Sequence, residues 1–542
     1  LETSVDDNND ARTIEVTDTV GGRVISYETA GGRVGTFEVR VDEDGSSHRI
    51  RTSPDGTVDE IVQNTDGSTT QIGADGVEMT WMAQEADDAW NTRINPGSSM
   101  TLTTPGGLTQ TMETTVSRTL GVATDPFSTT ETVHTAIVNG TRTYSTTWQT
   151  ITGDPDVAVA SLTELTPAGR TSTWFHDEFG RMLRMEEPTL STIWTTRDSQ
   201  GRVTGYLNGT RETTFAFDSR NNMETMTNAA GDLITFEYDL VGRMTAFYAQ
   251  DNERTEFVYD ERGQLTEFTP PGQPKWKFSH TVLGQVHEVT APDVGAGPDV
   301  TSFTWDADDN LLSVDFPTGD TVDNVYDVTT GRIDEIKLNG TAVTNYTYDS
   351  AGRVSQLETY KTTQTYVWDG SLPLSTTWAG EVSGVVSYTF GNEMLPTEQK
   401  INGAHALAYG YDDDLLLESI GDLSFGLDAA TGTIASATLG DVVESYGIND
   451  HEEWLTLAAD WQTTSLYEAT ITRDALGRID SMVEVVEGNP ATHEFEYDGR
   501  GRLLSWDVDG AVTAYTWDAN SNLATVAGGP ASVVDGRDQL ES

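Results

Sequence analysis

The residues with chemistry to offer are first of all acids: 87 Asp and Glu stand against 31 Lys and Arg, a formal charge of -56 over 542 residues. Glycoside cleavage needs two carboxylates at a set separation, and among so many no pair can be singled out. Acidic runs such as Asp42-Glu43-Asp44, Asp306-Ala307-Asp308-Asp309-Asn310 and Asp412-Asp413-Asp414 offer oxygen ligands. None has the spacing of a calcium loop, so they read as solvated turn residues that bind Ca²⁺ at most loosely. The eight His residues (His48, His134, His176, His280, His287, His405, His451, His493) are scattered, with no His-Glu-x-x-His pair to hold zinc. No Lys follows a Gly as in a phosphate-binding loop, no Gly-x-Ser-x-Gly elbow presents a nucleophile, and there is no Cys for a thiolate or a disulfide. The expectation is a chain that is not an enzyme, with no catalytic residue, no cofactor and no dedicated metal site.

Instead of converging, the acids and aromatics recur. Phe236-Glu237-Tyr238-Asp239-Leu240-Val241-Gly242-Arg243-Met244 is followed one period later by Phe257-Val258-Tyr259-Asp260-Glu261-Arg262-Gly263-Gln264-Leu265. The Asp residues 177, 198, 218, 239 and 260 are 21, 20, 21 and 21 apart, and the spacing returns at Asp306, Asp327, Asp349 and Asp369 with steps of 21, 22 and 20. After a frayed stretch with Tyr411-Asp412 and Leu427-Asp428, it recovers at Asp474, Tyr497-Asp498-Gly499-Arg500-Gly501-Arg502 and Trp517-Asp518. Val534-Asp535-Gly536-Arg537-Asp538-Gln539-Leu540 reads as the start of a further unit.

Each unit reads as a hairpin. Apolar and polar residues alternate before the Asp (Ile234, Phe236, Tyr238) and after the Arg (Met244, Ala246, Tyr248), the period of strands with one face buried. The Asp carboxylate can accept from backbone N–H groups just ahead of it, and the Gly takes a positive φ that a side chain resists. The motif residues are thus structural: Tyr238, Asp239, Gly242, Arg243; Tyr259, Asp260, Gly263; Tyr348, Asp349, Gly352, Arg353; Tyr497, Asp498, Gly501, Arg502. In a chain this acidic the motif Arg (Arg181, Arg202, Arg243, Arg332, Arg353, Arg478, Arg502) is expected to pair with a carboxylate of its own or the next repeat. Of the 13 Trp, Trp305, Trp368 and Trp517 fill the aromatic slot, where packing between hairpins accounts for them better than sugar stacking.

Residues 1–165 follow a looser version of the same logic. Asp44-Gly45, Asp55-Gly56, Asp66-Gly67 and Asp75-Gly76 lie between Thr/Val/Ile-rich runs and suit tight turns between short strands. Trp81 to Trp90 has helical composition but reads as an irregular loop. The Pro/Gly-rich stretches Thr269 to Pro274 and Ala291 to Pro298 read as surface loops, since the period resumes on both sides. The organisation is an irregular Thr/Gly-rich β-region over 1–165 leading into a repeat array over 166–542 that ends inside a repeat.

Composition limits the partners. So negative a surface repels nucleic acid and anionic lipid and favours solubility and basic proteins. No apolar run is long enough to insert in a membrane as a helix. The sequence begins Leu1-Glu2-Thr3 without a signal-peptide pattern, as in a processed or excised piece.

The unit Tyr348-Asp349-Ser350-Ala351-Gly352-Arg353-Val354 resembles the YD repeat of the Rhs family, which includes bacterial Rhs proteins, the toxin-enclosing components of Tc complexes and the shell region of animal teneurins. The resemblance runs from about residue 165 to 542. It implies an all-β fold in which an array of antiparallel hairpins spirals into a hollow, cocoon-like shell holding a toxin or other C-terminal domain. Members that release a cargo carry a self-cleaving Asp-Pro-x-Gly motif; Asp125-Pro126 and Asp154-Pro155 do not continue that way. The expected function is a non-enzymatic shell of a secreted or cell-surface protein, enclosing a polypeptide cargo or its own C-terminal domain. The alternative is an extracellular structural or adhesive protein whose copies pair into fibres or contact cell surfaces.

Overall fold

The computed structural model describes residues 2–5, 11–83, 98–123, 125–154, 158–295, 299–527, 529 and 537. These residues form 47 strands and one short 3-10 helix, Pro126–Ser128. Strands adjacent in sequence pair antiparallel, as in strand Leu233–Tyr238 against strand Met244–Tyr248, where Phe236 faces Phe247 and Tyr238 faces Met244. A register shift between Glu237 and Tyr238 marks a bulge one residue before the turn.

The turn shows why the motif has its spacing. Asp239 N–H donates to Arg243 O at 2.9 Å and Gly242 N–H to Asp239 O at 3.2 Å, closing a five-residue loop. The fourth loop residue must turn left-handed; Gly242 does so at φ 86° with no Cβ to strain. The Asp-Gly dipeptides of the first region make the same loop rather than a two-residue turn. Asp42 N–H donates to Ser46 O and Gly45 N–H to Asp42 O, both at 2.9 Å, with Gly45 at φ 94°. Two-residue turns with both φ positive occur instead at Asn139-Gly140, Asn339-Gly340, Asn402-Gly403 and Asp509-Gly510.

The sheet has little conventional core. Among the described residues the buried apolar side chains are Ala158, Ala160, Ala246, Ala469, Ile471 and three prolines, Pro270, Pro271 and Pro292, and no large side chain is completely enclosed. Alternation therefore marks a half-buried face rather than a dry one: Ile234, Phe236 and Tyr238 are partly covered, while Leu233 and Glu237 are exposed. A sheet with water on both faces accounts for the modest apolar content, 36% of residues.

Two compact units divide the chain, and each joins distant stretches. The first holds residues 1–145, 280–288 and 301–414; the second holds 146–279, 289–300 and 415–542.

Two expectations change, and a third falls almost wholly outside the described residues. Trp81 lies in strand Glu78–Ala83, not in a loop, because it pairs in register with Thr69 and Met100; residues 84–90 lie outside the described residues. Of the terminal stretch Val534 to Leu540, only Arg537 is among the described residues. The Pro-rich stretches are partly covered: Pro270, Pro271 and Pro292 are buried. Gly272 lies so close to Ala519 that a Cβ there would come within 2.8 Å of it, and Pro292 O accepts from Arg537 Nε at 2.9 Å.

Candidate functional site

The chemistry-bearing residues assemble first into capped turns. Asp239 Oδ1 accepts from Val241 N–H at 3.0 Å and Arg243 N–H at 2.9 Å, while Oδ2 accepts from Arg243 Nε at 2.6 Å. Asp349 repeats this with Ala351 N–H, Arg353 N–H and Arg353 Nε at 2.9, 3.0 and 2.8 Å, and Asp498 with Arg500 N–H, Arg502 N–H and Arg502 Nε at 3.0, 2.9 and 2.6 Å. Asp260 caps Arg262 N–H and Gln264 N–H, both at 2.9 Å, with Gln264 in place of the Arg. Gly242, Gly263, Gly352 and Gly501 share the fourth position, at φ 82–87°. Hydrogen bonds of this kind favour the ionised carboxylate. The Arg243 backbone N–H, then its guanidinium, hold Asp239 below the usual Asp range.

The Arg and the aromatic tie each turn to the next. Arg243 sits 5.0 Å from the Tyr259 ring centroid and donates through Nη1 to Asp260 O at 2.9 Å; Arg478 lies 4.5 Å from the Tyr497 ring. The aromatic answers with its polar tip. Tyr348 Oη donates to Ile333 O at 2.8 Å and Tyr497 Oη to Ile479 O at 2.9 Å, while Trp368 and Trp517 Nε1 reach Val354 O at 3.0 Å and Leu503 O at 2.8 Å. Each acceptor follows the Arg of the preceding repeat. Burial raises the Tyr238, Tyr348 and Tyr497 hydroxyls above their ordinary pKa, keeping them as donors.

A second set of hydrogen bonds and ion pairs, each within one unit, joins stretches 238 to 283 residues apart. In the first unit Asp308 reaches the loop Thr29–Arg33: it accepts from Thr29 Oγ1 at 2.6 Å and Gly31 N–H at 2.8 Å and pairs with Arg33 Nη2. A Cβ on Gly31 would stand 2.6 Å from that carboxylate, so the loop needs Gly to admit it. Asp369, also buried, accepts from Thr104 Oγ1 at 2.6 Å and Gly106 N–H at 2.5 Å, and Arg142 Nη1 meets Glu393 at 2.5 Å. In the second unit Arg211 grips Glu453 bidentately at 2.7 and 2.8 Å, Ser191 N–H donates to Asp450 O at 2.7 Å, and Arg500 Nη2 meets Asp251 at 2.7 Å. The Arg211 pair outweighs burial and holds Glu453 down to about 2.

These contacts correct two expectations. Asp308 is not a solvated turn residue, because it faces the loop of a distant repeat rather than water. The motif Arg does not always pair within its own or the next repeat. Asp327-Val328-Thr329-Thr330-Gly331-Arg332 has one residue more than the usual loop, so Asp327 Oδ1 caps Thr329 and Thr330 N–H and Arg332 is released to Asp55, 277 residues away. That extra residue, visible in the sequence, was the signal for the pairing. Arg33 was missed altogether, since it stands outside the regular repeats.

Among the described residues no group of three or more acids and His converges as a metal site would require. Asp42 and Asp44, from a run that offered calcium ligands, instead hold Arg40, His48 and Ser46. The carboxylates of the capped turns and of the contacts between distant repeats are likewise occupied in holding one stretch of sheet to another.

The teneurin YD-shell family model matches residues 19–531. No curated protein matches the sequence. Among solved structures, the chain is similar to one of the Photorhabdus luminescens Tc holotoxin pore at 11% identity, with a TM-score of 0.40, covering 95% of this chain and 35% of that one. It is also similar to TcdB2-TccC3 at 12% identity, with a TM-score of 0.34, covering 98% of this chain and 36% of that one. The chain therefore spans about a third of the length of the solved proteins it resembles.

Proposed function

The chain belongs to the teneurin YD-shell family, and from that premise we propose that it is shell wall: a non-enzymatic, cofactor-free scaffold, acting outside the cell or at its surface, that encloses or carries a polypeptide. The observation that supports this most is the use made of its charged groups. Turn carboxylates and guanidiniums fasten hairpin to hairpin, and a second set fastens stretches about 250 residues apart, as in Arg211–Glu453 and Arg332–Asp55. A wall needs such fastening because a sheet with almost no dry core gains little from burial alone. The charge of -56 favours a basic cargo over an acidic one.

Electron microscopy of the purified chain at near-native salt tests the reading, followed by mixing with a basic and an acidic test protein of equal size. Discrete particles that retain the basic protein are expected. Regular filaments, or equal retention of both proteins, would overturn the wall-and-cargo reading.

A further inference from the structure

One face of the first unit departs from the acidic character of the chain. Across strands Ala11–Thr19, Gly22–Glu28, Val34–Val41, Ser47–Thr52 and Val58–Gln63, register aligns Val16, Ile25, Phe37, Arg51 and Asp59 in one row. The adjacent row holds Val39, Arg49, Ile61 and Gln71. Between them lies a groove of about 500 Å³ lined by the apolar Phe37, Val39 and Ile61, by Arg49 and Arg51, and by two acids, Asp59 and Glu38, of which Glu38 is paired with Arg40. Phe37 and Val39 are 44% and 47% exposed, and both arginines are exposed.

The arginines are the anomaly. Nearby Arg23, Arg33 and Arg40 each pair with a carboxylate, Asp18, Asp308 and Asp42. Arg49 and Arg51 pair with none among the described residues, in a chain with 87 acids. Asp59 stands directly across from Arg51, but its Oδ1 accepts from Ala74 N–H at 3.2 Å. Arg51 instead lies 5.9 Å from the Phe37 ring centroid. Two guanidinium forks two residues apart on a strand are separated by roughly 7 Å, the repeat of alternate side chains in an extended peptide. Each fork suits a carboxylate, and the apolar rows suit an aliphatic or aromatic side chain beside it.

We propose that this groove binds an acidic polypeptide segment, with Arg49 and Arg51 gripping carboxylates at alternate positions and Phe37, Val39 and Ile61 receiving an adjacent apolar side chain. A polypeptide is favoured over a nucleic acid because it meets the two forks with two local charges, whereas a long polyanion meets the repulsion of the entire chain. The site does not depend on the wall-and-cargo reading. Peptide binding can succeed where retention fails, and the reverse.

The probe is a fluorescent twelve-residue peptide carrying Glu-x-Glu flanked by Leu and Phe, titrated by anisotropy into the whole chain beside the same peptide with Lys for Glu. The Glu peptide is expected to bind saturably despite its like charge, and to weaken at least tenfold on the double variant Arg49→Glu/Arg51→Glu and several-fold on Phe37→Ala. If the charge reversal unfolds the chain, Arg49→Gln/Arg51→Gln carries the same expectation with less perturbation. No binding of the Glu peptide to the parent chain, or equal binding to a folded double variant, would overturn the proposal. Binding of the Lys peptide alone would overturn it too, by showing that the net charge governs the face.

Discussion

The loops Asp177–Arg181 and Asp239–Arg243 have the same backbone as the loops Asp306–Asn310 and Asp498–Arg502. They differ at their second and third positions. In the first pair these hold Glu178-Phe179 and Leu240-Val241, with Phe179, Leu240 and Val241 71%, 85% and 77% exposed. In the second pair they hold Ala307-Asp308 and Gly499-Arg500, with the Asp308 and Arg500 side chains only 8% and 12% exposed against distant loops. The first, fourth and fifth positions thus build the hairpin, while the second and third record whether another stretch of sheet lies against it.

Breaking the covered kind of loop should cost most. Asp308→Ala removes the acceptor of Thr29 Oγ1 and Gly31 N–H and leaves the Arg33 guanidinium with only Asp306 Oδ2 at 3.8 Å, so a loss of about 3 kcal/mol is expected in denaturant unfolding. Asp177→Ala, in an open loop, frees only Phe179 N–H, Arg181 N–H and the Arg181 side chain of its own turn, and about 1–2 kcal/mol is expected by the same measurement. Equal losses would dissolve the distinction.

Acid acts on the covered contacts through their carboxylates. Glu453 is held down to about 2 by Arg211, against 4.5 for the free group. A carboxylate whose folded pKa is depressed adds stability that is complete above its unfolded pKa and is lost as pH falls through the folded one. Arg211→Gln should therefore destabilise by about 1–2 kcal/mol at pH 7, with the gap to the parent chain narrowing from about pH 4.5 towards 2. A gap constant over that range would remove Glu453 as its cause.

Smaller effects belong to single positions. Glu452 is an exposed non-Gly residue at φ 60° in the loop Asn449–Glu453, where most of these loops carry Gly. Glu452→Gly relieves a left-handed conformation and should raise the unfolding midpoint by the equivalent of about 0.5–1 kcal/mol. Leu240→Ser, at a loop tip in water, should stay within about 0.5 kcal/mol of the parent.

The hairpin was legible because its causes are local. Asp239, Gly242 and Arg243 meet across four residues, and the 21-residue period repeats the lesson down the chain. Likewise, Asp42-Glu43-Asp44-Gly45-Ser46 could be read as a turn, although its five-residue form follows from hydrogen bonds that the Asp-Gly pair alone does not announce. Contacts between distant repeats were not legible. Their separation varies between 238 and 283 residues, so it leaves no period, and Asp308 looks in sequence like any solvated acid. Only Arg332, displaced by one residue from its own Asp, carried a local sign of a partner elsewhere.

Stretches about 250 residues apart lie loop against loop within each unit, and a covalent link between two such loops can be made and read. The chain has no Cys, so Thr104→Cys/Asp369→Cys introduces the only two thiols, at positions joined by a 2.6 Å hydrogen bond across 265 residues. Mild oxidation of the folded variant should link them within one chain, read by mass spectrometry as a single crosslinked peptide pair that disappears on reduction. Two freely alkylated thiols after oxidation of a folded chain would contradict the account.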